Sequence, residues 1–230
     1  MSDTDVMEFT RRIFFSGAMA APLLGQLGGG AATAAEGTEA GTAFALIDGL
    51  SELRLTTLAL ERLREEGIEV QAVAPASEIL GADGSTVEGV TMPPEYGRVV
   101  IDLSGQPTDG RGRVRGGVRL RSEQTSMEIT EVRGDLSDGR IFAFLKVNED
   151  WVGEVPLYAT DPAAVRLDLR PGAPTKPTTL RGSDVPITPT EEGLAAFEDA
   201  FGTSLFTATD VVLRGSGEAG AWPVPSWPDN

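Results

Sequence analysis

Asp138-Gly139-Arg140-Ile141-Phe142-Ala143-Phe144-Leu145-Lys146-Val147 is the stretch on which the fold turns. Asp-Gly is a tight-turn pair, and Ile141, Ala143, Leu145 and Val147 then recur at every second position. A period of two is that of a β-strand with one face buried, since successive side chains point to opposite sides. Working outward, Val118 and Leu120 alternate with Arg119 and Arg121, and Met127 and Ile129 face inward on the next run. Val99 to Leu103, bounded by Gly105, Val152 to Tyr158 and Val165 to Leu169 supply further strands. Short strands between Gly-rich turns predict a mainly β chain, an antiparallel β-sandwich or partly closed barrel.

Two helices interrupt this pattern, making the class α+β with β dominant. Leu58 to Glu66 follows the capping residue Thr57, places Leu60 and Leu63 on one face, and ends before Gly67. With Leu53-Arg54-Leu55 before it and Ile68 to Val73 after it, it reads as a β-α-β opening. Thr188-Pro189-Thr190-Glu191 predicts the second start, with Thr188 as cap, Leu194, Phe197 and Phe201 as buried stripe and Gly202 as terminator. Residues 171–186, rich in Pro and Thr, read as a surface connection, and Trp151 as part of the core.

The amino terminus reads as an address. Thr10-Arg11-Arg12-Ile13-Phe14-Phe15 resembles the twin-arginine consensus, a weakly apolar Gly/Ala stretch follows, and Ala32-Thr33-Ala34 offers small residues to a signal peptidase. Arg11, Arg12, Ala32 and Ala34 are the signal residues. The expected organisation is a signal over 1–35, a mobile lead-in over 36–50, one β-rich domain over 51–216, and an extended Pro/Trp tail over 217–230. No apolar run reaches the ~18 residues of a membrane span, so no transmembrane anchor is expected after signal removal. The expected location is secreted or cell envelope.

The 230 residues carry 35 acids against 19 bases, a net charge of −16. Such a field repels nucleic acid and anionic lipid. There is no cysteine and no histidine, which removes disulfides, thiol nucleophiles and the commonest general base and metal ligand. No metal site and no cofactor are expected, and no nucleophile elbow or phosphate loop points to an enzyme.

Several stretches together resemble the haem-transport-associated surface domain family and its uncharacterised secreted relatives. They are Val70 to Ala76, Gly116-Gly117-Val118-Arg119-Leu120, Val155-Pro156-Leu157-Tyr158, and Ile187 to Phe197 followed by Phe201-Gly202-Thr203. The resemblance, over residues 52–216, implies an exported, envelope-associated β domain. In haem-binding members a tyrosine coordinates iron with a histidine behind it. Here there is no histidine, and neither Tyr96 nor Tyr158 lies in a recognisable ligand motif.

Four arginines, Arg113, Arg115, Arg119 and Arg121, fall on the polar side of one alternating run. They either clamp an anionic wall glycan or pair with Glu128 and other acids across strands. Trp222 and Trp227, spaced by prolines, either dock onto a partner such as an envelope protein or fold back on the domain. Arg133-Gly134-Asp135 matches an integrin-binding tripeptide by letter, and its glycine equally serves a turn. Glu65-Glu66, Glu123 with Glu128, and Asn148-Glu149-Asp150 offer carboxylates without metal-loop spacing. The function expected is a non-catalytic, exported surface domain that binds a ligand or partner, the alternative being a secreted hydrolase with paired carboxylates.

Overall fold

Alternation of apolar and polar residues continues from one strand to the next with few helical interruptions, and the chain answers with antiparallel sheet. The computed structural model describes residues 41–224. Among them the strands are β1 (Thr42–Leu55), β2 (Glu69–Val73), β3 (Ser77–Leu80), β4 (Val87–Met92), β5 (Pro94–Ile101), β6 (Pro107–Val114) and β7 (Gly117–Arg121). Then come β8 (Ser126–Asp135), β9 (Arg140–Val147), β10 (Asp150–Ala159), β11 (Leu167–Arg170), β12 (Thr178–Pro189) and β13 (Leu213–Val224). Helix α1 is Thr57–Glu65 and helix α2 is Glu191–Phe201. None of the described helices is long and apolar enough to cross a membrane.

Eight strands bond in a ring, in the order β1-β5-β6-β8-β9-β10-β12-β13 and back to β1, every pair antiparallel. This is the mainly β, partly closed barrel that the alternation predicts. The closure is narrow at β10–β12, where only Tyr158↔Pro189 and Ala159↔Thr188 are paired. Toward one end β4 takes over from β5 beside β1, and β7 takes over from β6 beside β8, with β3 on β4 and β2 on β7. The opening is therefore not a parallel β-α-β unit, because β2 pairs with β7 and not with β1.

Both helices sit over this end. Thr56 caps α1 and its hydroxyl donates to the Val211 carbonyl, while Arg62 donates to the Leu205 carbonyl. Thr190 caps α2 through Gly193, and Gly202 ends it at φ 73°, a left-handed turn that suits glycine. Each cap differs from the expected one. It is Thr56 and not Thr57, and Thr190 and not Thr188, because Pro189 still belongs to β12. Phe197 stacks edge-on to Phe206 in a buried cluster with Leu63, Leu120, Met127, Leu145 and Leu157. A smaller cluster of Phe44, Val99, Ile101, Leu180 and Ala221 fills part of the other end.

The boundaries differ from the expected ones in three places. The anticipated lead-in over 36–50 is strand from Thr42 onward, since Phe44 and Leu46 turn inward against β5 and β13. Residues 178–186, expected as connection, are strand because Leu180 and Ile187 are buried between β11 and β13. The tail is strand through Val224, paired on both sides. Trp151, expected in the core, is 68% exposed. It stands beside the β9–β10 turn, where a register shift before Gly153, at φ 117°, carries it beyond the reach of the core.

Candidate functional site

The interior of the ring is built by one register row. Ala221 on β13 faces Leu46 on β1, and Leu46 faces Gly97 on β5. Gly97 faces Gly112 on β6, and Gly112 faces Gly134 on β8. Ile141 and Tyr158 continue the row on β9 and β10. Leu46, Ala221 and the neighbouring pair Phe44–Val99 pack together inside the barrel, which fixes this row as the inward one.

Three adjacent inward positions therefore carry no side chain. A Cβ at Gly134 would meet no atom within 4 Å, and one at Gly112 would meet only backbone, the Tyr96 carbonyl at 3.4 Å and the Gly97 Cα at 3.7 Å. Gly97 differs, since its Cβ would strike Leu46 Cδ1 at 2.6 Å. Above Gly112 and Gly134 lies a cavity of about 480 Å³ whose lining is predominantly apolar. Eight strands make a ring wide enough for one small ligand, and ligand pockets run from ~300 to ~1,000 Å³.

Most of the lining is apolar, although Glu52, Arg98, Arg111, Asp135, Arg140 and Glu218 also border the cavity. Thr160 donates to the Pro186 carbonyl and Ser216 accepts from the Asp184 amide, so both are engaged. Tyr158 is largely enclosed by protein, packs beside Phe197 and borders the cavity. Burial alone pushes its hydroxyl far above the ordinary phenol value, with neither a charge nor a hydrogen bond acting on it. Alternation turns Arg98, Arg111 and Arg140 outward, opposite to Val99, Gly110 and Ile141. Arg98 Nε is buried without a hydrogen-bond partner on that outward row.

The four arginines singled out in the sequence do not form one patch. Gly116, at φ 86°, breaks their run between β6 and β7. Arg113 pairs with Glu131 and with Glu95 at 3.3 Å. Arg119 grips Glu128 across strands, its Nε at 3.0 Å. Arg115 and Arg121 are exposed and form no ion pair among the described residues. Arg133 pairs with Glu154 at 2.6 Å and lies 4.0 Å over the Phe142 ring, while Asp135 accepts from Ser137. Both charged ends of Arg133-Gly134-Asp135 are thus engaged, and its glycine belongs to the cavity floor.

Trp222 is 38% exposed on β13, opposite Ala45. Trp227 and the signal residues Arg11, Arg12, Ala32 and Ala34 lie outside the described residues. No group of three or more acids that could hold a metal ion occurs among the described residues. Asp83, Asp102, Asp135 and Glu154 are all held below the ordinary carboxylate range by hydrogen bonds from neighbouring side chains. Sequence reasoning missed the cavity. Its only signal was an inward glycine on each of three strands, and glycine inside a strand reads as weakness until the register is known.

No family model matches the chain, and neither does any curated protein. Its fold is similar to that of the C-terminal domain of HtaA from Corynebacterium glutamicum, with a TM-score of 0.50. The likeness covers 78% of this chain and 99% of that domain at 10% identity. At that identity it is a likeness of fold, and it supports an Hta-like architecture. Haem, which the resembling family implies, can be tested against the residues present. The chain has no histidine, Tyr96 is 48% exposed, and Tyr158 keeps its proton with no base beside it. These residues do not fit an iron ligand set.

Proposed function

We propose that this chain is an exported, non-catalytic β-barrel domain of the cell surface or envelope that takes an apolar small molecule into its interior. The cavity beside Gly112 and Gly134 carries this reading. Export rests on the arginine pair Arg11-Arg12 and the small residues Ala32 and Ala34. Arg115, Arg121 and Trp222 are the exposed residues left for an anionic wall glycan or envelope protein partner. Paired-carboxylate hydrolysis has less support, since a general acid needs a raised affinity for its proton and the shifted carboxylates here are all lowered.

Titration of the full chain with 1-N-phenylnaphthylamine, whose fluorescence rises in apolar surroundings, tests the reading. Saturable one-to-one binding is expected, and Gly134→Val should remove it while the thermal transition is kept. Absence of saturable binding, or binding untouched by Gly134→Val, overturns the interior site. Changing Arg11 and Arg12 to lysine should hold full-length precursor inside the cell, and unimpaired export of that form would end the twin-arginine assignment.

A further inference from the structure

Bare backbone, a phenol on the same inward row and a mostly apolar lining together restrict what the barrel can hold. Gly112 and Gly134 on adjacent strands present bare backbone to the cavity across one strand spacing, roughly 5 Å, which suits the face of a ring system better than a branched chain. Tyr158 stands two strands further along the same row, after Ile141. We infer, building on the interior site proposed above, that the ligand is a flat, uncharged molecule bearing one hydrogen-bond acceptor, its ring system on Gly112 and Gly134 and its acceptor at the Tyr158 hydroxyl.

Each part of that description has its own cause. Flatness follows from the missing side chains, since a Cβ at Gly112 or Gly134 would occupy the ligand's place. Neutrality follows from the predominantly apolar lining, where an ion gives up hydration while alternation turns the bordering arginines outward. The acceptor follows from Tyr158. No hydrogen bond within the described residues engages its hydroxyl, and its proton stays on the phenol, so it can serve as a donor. A carbonyl or ether oxygen on the ligand would satisfy it.

Fluorene, fluorenone and 9-fluorenecarboxylate share one tricyclic frame and differ in acceptor and charge, which makes them suitable probes. Equilibrium dialysis against the full chain should show fluorenone binding about fivefold more tightly than fluorene. Tyr158→Phe should erase that preference and leave fluorene binding unchanged, while the carboxylate should bind worst. Gly112→Val and Gly134→Val, made separately, should each abolish binding of all three with melting temperature retained.

The outcomes separate. Equal affinity for fluorene and fluorenone, or a preference that survives Tyr158→Phe, overturns the acceptor while the interior site stands. Tightest binding by the carboxylate overturns neutrality. Binding that survives both glycine variants sinks the interior site itself. Loss of folding in one glycine variant is covered by the other, because the two face different surroundings.

Discussion

The helix-covered end of the barrel and its middle follow the same alternation and reach opposite results. At the helix-covered end the inward positions and the helices above them carry Leu120, Ile129, Leu145 and Phe197, and Phe197 is 2% exposed. In the middle of the ring Gly97, Gly112 and Gly134 take inward positions of β5, β6 and β8, and open space stands over Gly134. The backbone does not distinguish core from cavity. Side-chain size at equivalent register positions does.

The sharpest way to break this comparison is to exchange the two characters. Phe197→Ala, in the packed end, should cost about 3–5 kcal/mol in denaturant unfolding. Gly134→Val, in the hollow, should be neutral or stabilising by up to ~1 kcal/mol, since it fills space with a residue that favours strands. Equal losses in the two variants would mean that the glycine floor is packed after all.

A smaller effect belongs to the outer face. Changing Arg113, Arg115, Arg119 and Arg121 to glutamine removes the pairs with Glu131, Glu95 and Glu128. Exposed pairs contribute ~0.2–1 kcal/mol each, so melting should fall by a few degrees and interior probe binding should not change. Arg115→Gln with Arg121→Gln alone should leave melting where it was. Salt-sensitive binding of an anionic glycan that disappears with no loss of stability would instead assign these arginines to a ligand.

The smallest effect lies in the turns. Asp83, Asp102 and Asp135 accept hydrogen bonds from Thr86, Ser104 and Ser137 and are held below their ordinary values. A carboxylate with a lower value folded than unfolded contributes stability above about pH 4, and that contribution fades as pH falls through the folded value. Denaturant midpoints followed from pH 6 to pH 2 should therefore fall less steeply once all three are asparagine. An identical slope would remove these turns from the acid response.

Much of the wall was legible in the sequence. Ile141 to Val147 alternates cleanly, Met127 and Ile129 face inward as read, and Gly202 ends its helix. What escaped was where apolar residues are absent. Residues 213–224 contain Gly215, Gly217, Gly220 and two alanines, so no period of two marks them, yet they form a strand bonded along both edges. The candidate site escaped for the same reason. Gly97, Gly112 and Gly134 lie far apart in sequence and become one surface only through pairing that local patterns do not encode. The arginines were seen as a set, but Gly116 divides them.

Strand β13 has a consequence for the order of events in folding. Three neighbouring pairs in the ring, β5 with β6, β8 with β9 and β9 with β10, are joined by short turns, and such hairpins close within microseconds. β1 is different. Its partners are β5 and β13, and the contact Ala43↔Val224 spans nearly the whole described chain. Loop-closure entropy makes contacts of that separation the slow ones. Until β13 arrives, β1 and β12 each keep a bare edge, the form of exposed strand most prone to pairing with another molecule. The ring thus protects itself only with its last step, and a chain released before that step is the species most exposed to aggregation.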